Sequence, residues 1–161
     1  FARPPAPHPT AVSLHELLAT QAASHRSSAL DVGIAVELGV CEGIAHVDPG
    51  HLAIAVGNLV RNSIEATPAG GWVRLSSTHR GDRVAVLGED SGPGPSPSQI
   101  PFLFDPFFSG RSAGRGRGLG LSVAWRLAKA NGGDAVYEPQ TGGPTRFAIL
   151  LPRAASIRMT A

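Results

Sequence analysis

Apolar and polar positions change period several times along this chain, and each change marks an element. Leu14, Leu17 and Leu18 keep helical spacing, and with Val12 and Ala22 they predict an amphipathic helix from Val12 to about His25. Val32, Ile34, Val36 and Leu38 then alternate with small or charged residues, the period of a half-buried strand. Asp48-Pro49 reads as a helix cap with proline at the first helical position. Leu52, Val56, Leu59, Val60 and Ile64 carry that helix toward Pro68-Ala-Gly-Gly. Two strands follow, Trp72–Thr78 and Arg83–Glu89, and the Gly81-Asp82 step between them suits a hairpin turn. Another helix, from about Leu119 to Ala130, stops at Asn131-Gly132-Gly133, and Asp134–Tyr137 and Thr145–Leu151 read as a closing pair of strands. No internal repeat interrupts the order αβαββαββ, which predicts a helical layer on one face of a mixed sheet.

The intervals between these elements are informative too. Residues 1–11, rich in proline and alanine, read as a linker or the tail of an upstream module, and residues 154–161 as a C-terminal tail; the domain itself spans 12–153. Residues 91–116 are dense in glycine and proline yet hold one apolar patch, Phe102-Leu-Phe104-Asp-Pro-Phe107-Phe108. A loop of that length inside a compact domain is usually functional, often a lid. At 161 residues, 42% apolar and 16% charged, the chain suits one domain with a real core rather than a disordered segment. A net charge of +2, carried almost entirely by arginine, gives little support to a nucleic-acid partner. The single cysteine, Cys41, excludes an intrachain disulfide and suits a reducing compartment. No apolar run approaches the ~20 residues of a membrane span, so no direct membrane contact is expected of this segment. The chain opens at Phe1 with neither a methionine nor a leader pattern, so a cytoplasmic piece of a longer protein is expected, whether or not the parent is membrane-anchored.

Three short islands carry candidate chemistry. Asn58 and Asn62 lie four apart on one face of an otherwise apolar helix, where two stacked amides need a polar partner. Magnesium accepts such neutral oxygens and is commonly completed by substrate phosphates, so Asn62 is a candidate ligand with Asn58 orienting the same shell. The plainer alternative is one asparagine capping a loop and the other exposed. Asp90 ends a strand and is followed by Ser-Gly92-Pro-Gly94; its carboxylate can accept from the exocyclic amine of adenine, with the glycines letting backbone approach the base. An acid that simply starts a turn fits the same residues. Gly116-Arg-Gly118-Leu119-Gly120 opens a helix whose first amides lack internal partners and can surround a phosphate, although tight packing also explains Gly120. No strand directly precedes it and no Gly-Lys-Ser/Thr follows, which excludes a dinucleotide fingerprint and a P-loop. Arg111 is the candidate cation for the terminal phosphate, and Phe102, Phe104, Phe107 and Phe108 read as a hydrophobic anchor for the lid.

In their order, these islands resemble the boxes of the catalytic ATP-binding domain of sensor histidine kinases, over about Val12 to Pro152. The asparagine box corresponds to 58–67, the first glycine box to 90–94, the phenylalanine box to 104–108 and the second glycine box to 116–121. The resemblance implies the Bergerat fold: an α+β two-layer sandwich, its mixed and mostly antiparallel sheet bearing about three helices on one face. It implies Mg2+ at Asn62, adenine at Asp90, phosphates at Gly118 and Gly120, and a supporting role at the base for Thr145. Glu65 stands where many members have a basic residue, although a glutamate there resembles the nitrogen-regulator branch, and Arg117 replaces a small hydroxyl residue. His15-Glu16-Leu17 imitates a phosphoacceptor box, but no basic residue or proline follows, and it lies too near Asn58 for a helical hairpin to intervene. The expected function is therefore ATP-dependent histidine kinase chemistry. The γ-phosphate would go to a histidine on a separate dimerisation module and on to a response regulator. A degenerate nucleotide-binding regulatory module and an anti-sigma-type serine kinase are the alternatives.

Overall fold

A computed structural model describes residues 3–106, 108 and 120–155. Along the chain lie β1 (Thr10–Ser13), α1 (Leu14–Asp31), β2 (Ala35–Cys41), β3 (Ile44–Val47), α2 (Pro49–Ala66), β4 (Trp72–Arg80) and β5 (Arg83–Asp90). A 3₁₀ turn (Ile100–Phe102), α3 (Gly120–Ala130), β6 (Asp134–Tyr137) and β7 (Thr145–Pro152) follow. Five strands form one sheet in the order β2-β4-β5-β7-β6, parallel between β2 and β4 and antiparallel elsewhere. The predicted αβαββαββ order is recovered once β1 and β3, which pair with each other in a separate antiparallel ribbon, are set aside.

Differences from the sequence reading are local and have physical causes. Helix α1 starts at Leu14 rather than Val12, because Val12 lies opposite Ala45 in the ribbon and Ser13 caps the helix. The Ser13 hydroxyl accepts from the Glu16 amide at 3.3 Å, the first half of a Ser-x-x-Glu capping box. The helix continues past His25 to Asp31 and buries Ala29 on the same face as Leu14, Leu18 and Ala22. Val32 belongs to no strand: its amide closes the helix onto the Ala29 carbonyl, and Gly33 turns the chain at φ +77°. Strand β2 therefore begins at Ala35, while Ile34 and Val36 stay buried as their alternation required.

The helices cover one face of the sheet. Leu14 and Leu18 of α1, Leu52, Val56, Leu59 and Val60 of α2, and Leu121, Ala124 and Leu127 of α3 form one core with Val73, Leu75, Val84, Val86, Phe147 and Ile149 of the sheet. Gly88 of β5 has no side chain because a Cβ there would lie 2.8 Å from Leu59 Cδ2. On the opposite face Ala85, Leu87 and Ala148 form a small second cluster. The Arg74–Glu37 (3.0 Å) and Arg146–Glu89 (3.1 Å) ion pairs lie on that face.

One polar junction sets the relative position of α2 and α3. Asp48 caps α2 by accepting from the Gly50 and His51 amides at 2.9 and 3.1 Å, and its second oxygen accepts from the His8 amide at 2.9 Å. The Asn131 side chain, just past α3, accepts from the Asp48 amide at 2.9 Å and lies 3.1 Å from His51 Nδ1. With the end of α3 held at the start of α2, the two helices run antiparallel, and the first residue of α3 comes to the middle of α2.

Candidate functional site

Asp90 is the last residue of β5, flanked in register by Val73 on β4 and Thr145 on β7. Strand alternation turns it toward the helices, whereas Arg74, Glu89 and Arg146, one position along, face the other side. The residue is only 1% exposed. Oδ1 accepts from the Gly92 amide at 2.8 Å, while Oδ2 is buried with no hydrogen-bond partner among the described residues. Burial raises its pKa above the ordinary aspartate value; the Gly92 amide and the Ser63 and Thr67 hydroxyls oppose this.

The glycines beside it are dictated by close approach. A Cβ on Gly92 would lie 2.6 Å from the Ala66 carbonyl oxygen, and one on Gly94 would lie 2.9 Å from Thr145 Oγ1, with Gly94 at φ +73°. The Thr145 hydroxyl donates to the Gly92 carbonyl at 3.1 Å and ties β7 to this turn. Opposite them, near the end of α2, Ser63 and Thr67 are buried; the Thr67 hydroxyl donates to the Ser63 carbonyl at 2.7 Å, and Ser63 Oγ has no hydrogen-bond partner. The structure thus brings Asp90, Gly92, Gly94 and Thr145 together and adds Ser63 and Thr67, to which the sequence reading gave no role. The signal was present: 52, 56, 59, 60, 63 and 67 form one stripe of α2, and its last two positions carry hydroxyls where apolar residues are expected.

Farther up α2 lies the second group. Asn58 donates from Nδ2 to the Ile54 carbonyl at 3.0 Å and accepts at Oδ1 from Arg61 Nη2 at 2.9 Å. Gly120, the first residue of α3, faces it: a Cβ there would lie 3.7 Å from Asn58 Oδ1. Asn62, half-buried one turn on, sits between this group and Ser63. Magnesium binds through one or two protein oxygens plus phosphate and water, a number these asparagines can supply; the Asn58 oxygen already accepts from the Arg61 guanidinium, whose charge opposes a cation there. Among the described residues no group of three or more His, Cys, Asp or Glu side chains is placed to hold a metal by itself.

Part of the aromatic patch packs on the sheet through Phe104, while Phe102 is half exposed. Phe104 packs edge-on against Phe147 at 6.2 Å, Tyr137 meets the same ring at 5.3 Å, and Phe102 lies 5.9 Å from Phe108. Arg111, Gly116, Gly118 and Leu119, together with Phe107, Arg115 and Arg117, lie outside the described residues. A cavity of about 330 Å³ on the other sheet face, lined by Gly39, Arg74, Ser76, Thr78 and Leu87, contains none of the candidate residues. Among the described residues no helix is long and apolar enough to cross a membrane.

A buried strand-end carboxylate, a glycine turn against it and an asparagine-bearing helix facing the first residue of α3 make up the candidate site between the sheet and its helices. Residues 47–155 match the model of the histidine kinase-, DNA gyrase B- and HSP90-like ATPase family, and the chain belongs to that family. It is homologous to sensor histidine kinases. The alginate biosynthesis sensor protein KinB of Pseudomonas aeruginosa is 33% identical over 128 residues, 79% of this chain and 21% of that protein. The signal transduction histidine-protein kinase AfsQ2 of Streptomyces coelicolor is 32% identical over 123 residues, 74% of this chain and 23% of that one. Full-length ShkA in complex with AMPPNP superposes with a TM-score of 0.81 at 26% identity, covering 96% of this chain and 33% of that chain. The chain therefore spans between a fifth and a quarter of the length of these two curated relatives.

Proposed function

We propose that this chain is the ATP-binding catalytic domain of a two-component sensor histidine kinase. It binds Mg·ATP and presents the γ-phosphate to a histidine on a dimerisation module, for relay to a response regulator in the cytoplasm. The observation that carries the reading is Asp90: a carboxylate 1% exposed, with one oxygen fixed by Gly92 and the other without a partner among the described residues. A buried polar atom left unpaired needs an explanation, and the exocyclic amine of adenine supplies the missing donor. Gly92 and Gly94 let the turn pack closely against Ala66 and Thr145, and the Thr145 hydroxyl ties that turn beside Asp90.

At the other end, Asn62 holds Mg2+ and Asn58 orients the same shell, with phosphates toward Gly116, Gly118, Leu119 and Gly120 and the terminal phosphate met by Arg111. The metal neutralises phosphate charge when bound. The chain's own residues bind, orient and exclude water, which is most of what phosphoryl transfer requires of a protein. No nucleophile is assigned to this domain, because the acceptor histidine comes from another module. Calorimetric titration tests the reading: Mg·ATP binds the wild-type chain, chelating the metal weakens that binding, and Asn62→Ala removes the metal dependence. A wild-type chain that gives no heat with Mg·ATP overturns it.

A further inference from the structure

Two buried polar atoms at the base end of the site have no hydrogen-bond partner among the described residues, Asp90 Oδ2 and Ser63 Oγ, and the Ser63 hydroxyl is near enough to the Asp90 carboxyl to act on it. Both residues are essentially inaccessible, Asp90 at 1% and Ser63 at 0%. The nearby Thr67 hydroxyl has already given its proton to the Ser63 carbonyl, which leaves Ser63 as the side chain with a free proton to offer. Its hydroxyl lies close enough to favour the charged carboxylate but outside ordinary hydrogen-bond geometry. Such contacts commonly tighten when ligand arrives.

The rest of the described surroundings supply no charge. Asp90 meets Val73 from β4, Thr145 from β7 and the Gly92 amide from the turn that follows, and Tyr137 of β6 presents its hydroxyl near Gly94. Arg74, Glu89 and Arg146 lie on the opposite sheet face, and Glu65 is on the exposed side of α2. Among the described residues no ionic neighbour contributes to the behaviour of the carboxylate.

We propose that Ser63 is a positioning residue that makes the base site select 6-aminopurine nucleotides, by donating to the free oxygen of Asp90 and holding it as a charged acceptor. The inference rests on the assignment of the base to Asp90. A charged carboxylate only accepts, so it pairs with an amine and repels a 6-oxo group. A neutral carboxylic acid carries a proton that it can donate to a 6-oxo oxygen, and the discrimination is lost. Burial pushes Asp90 toward that neutral form, and the Ser63 hydroxyl counters it.

The experiment compares wild type and Ser63→Ala with Mg·ATP and with the Mg complex of purine riboside 5′-triphosphate, which bears hydrogen in place of the amine, across acid to neutral pH. Loss of a hydrogen bond to a charged group weakens ATP about tenfold in Ser63→Ala. The penalty falls below about twofold with the analogue, because the contact that Ser63 supports is then absent. The acid midpoint of ATP binding moves to higher pH in the variant, since the carboxylate protonates sooner. Equal penalties on the two nucleotides, no penalty on ATP, or an unmoved midpoint overturns the proposal while leaving the nucleotide site standing. A wild-type chain that does not bind ATP takes down the site assignment, and this proposal with it.

Discussion

Replacing Asp90 by asparagine separates stability from function. In the wild type, Oδ1 accepts from the Gly92 amide at 2.8 Å, and Oδ2 is buried without a donor. Asparagine keeps the first bond through its carbonyl oxygen and places an NH2 group beside Ser63 Oγ, which can accept. A buried polar group left unsatisfied costs about 1–3 kcal/mol, so partial relief stabilises the variant by about 1 kcal/mol, or roughly 2–4 °C in melting midpoint for a domain of this size. The sign with pH follows from the raised pKa of Asp90. Relative to an aspartate in water, its contribution to stability is most favourable below the unfolded value and is lost as pH rises through the folded value. The advantage of Asp90→Asn is therefore largest at neutral pH and shrinks on acidification. Binding moves the other way. With its oxygen on Gly92 the asparagine presents a donor to the adenine amine, and flipped it sets a donor against the Gly92 amide. Loss of a charged hydrogen bond of about 1.5–3 kcal/mol weakens ATP roughly ten- to hundredfold. Thermal melts over pH and an ATP titration read both effects. A variant that melts below wild type at neutral pH, by the same margin at every pH, refutes the reasoning.

Other expectations follow from specific contacts. Gly92→Ala pushes a Cβ to 2.6 Å from the Ala66 carbonyl oxygen, a backbone atom that cannot swing aside, and lowers the melting midpoint through about 1–3 kcal/mol of strain while weakening ATP. Asn62→Ala weakens Mg·ATP about ten- to hundredfold in calorimetry and leaves the residual binding insensitive to chelation. Leu59→Ala, at a site 2% exposed, costs about 2–5 kcal/mol in denaturant unfolding. Adding Gly88→Ala to that variant costs less than it does in wild type, because the new methyl enters space that Leu59 occupied 2.8 Å away. Arg80→Met breaks the paired contact with Glu138, in which Arg80 Nη2 lies 2.8 Å from Oε1; the pair is partly exposed, so stability falls by less than about 1 kcal/mol and ATP binding is unchanged.

The regular elements were legible in the sequence wherever burial imposes a period. Leu52 through Ile64 on α2 and the alternation of β4 and β5 follow from one buried face each. Four-residue β1 and β3 escaped because Thr-Ala-Val-Ser and Ile-Ala-His-Val are too short to show a period, and their pairing is long-range. The start of α1 was readable in Ser13-Leu-His-Glu16, a capping signature that outweighs the apolar Val12 before it. The displaced start of β2 reflects Gly33 acting as a helix stop, where Val32 had looked like the first strand residue. At the candidate site, Asp90, Gly92, Gly94 and Thr145 were singled out from the sequence, and the fold brings these four together. Ser63 and Thr67 were not, since a small hydroxyl on a helix is commonplace until the fold turns it toward a buried carboxylate. Nor could spacing show that Arg61 reaches back to Asn58.

The central claim is where the nucleotide sits, and backbone amide NMR spectra titrated with Mg·ATP test it most directly. Saturable shifts are predicted at Gly92, Gly94 and Thr145 for the base and at Asn58, Asn62 and Gly120 for the metal and phosphates, while Gly39, Ser76 and Thr78 around the cavity on the other sheet face stay put. Shifts confined to that outer cavity, or no saturable shift at all, contradict the account.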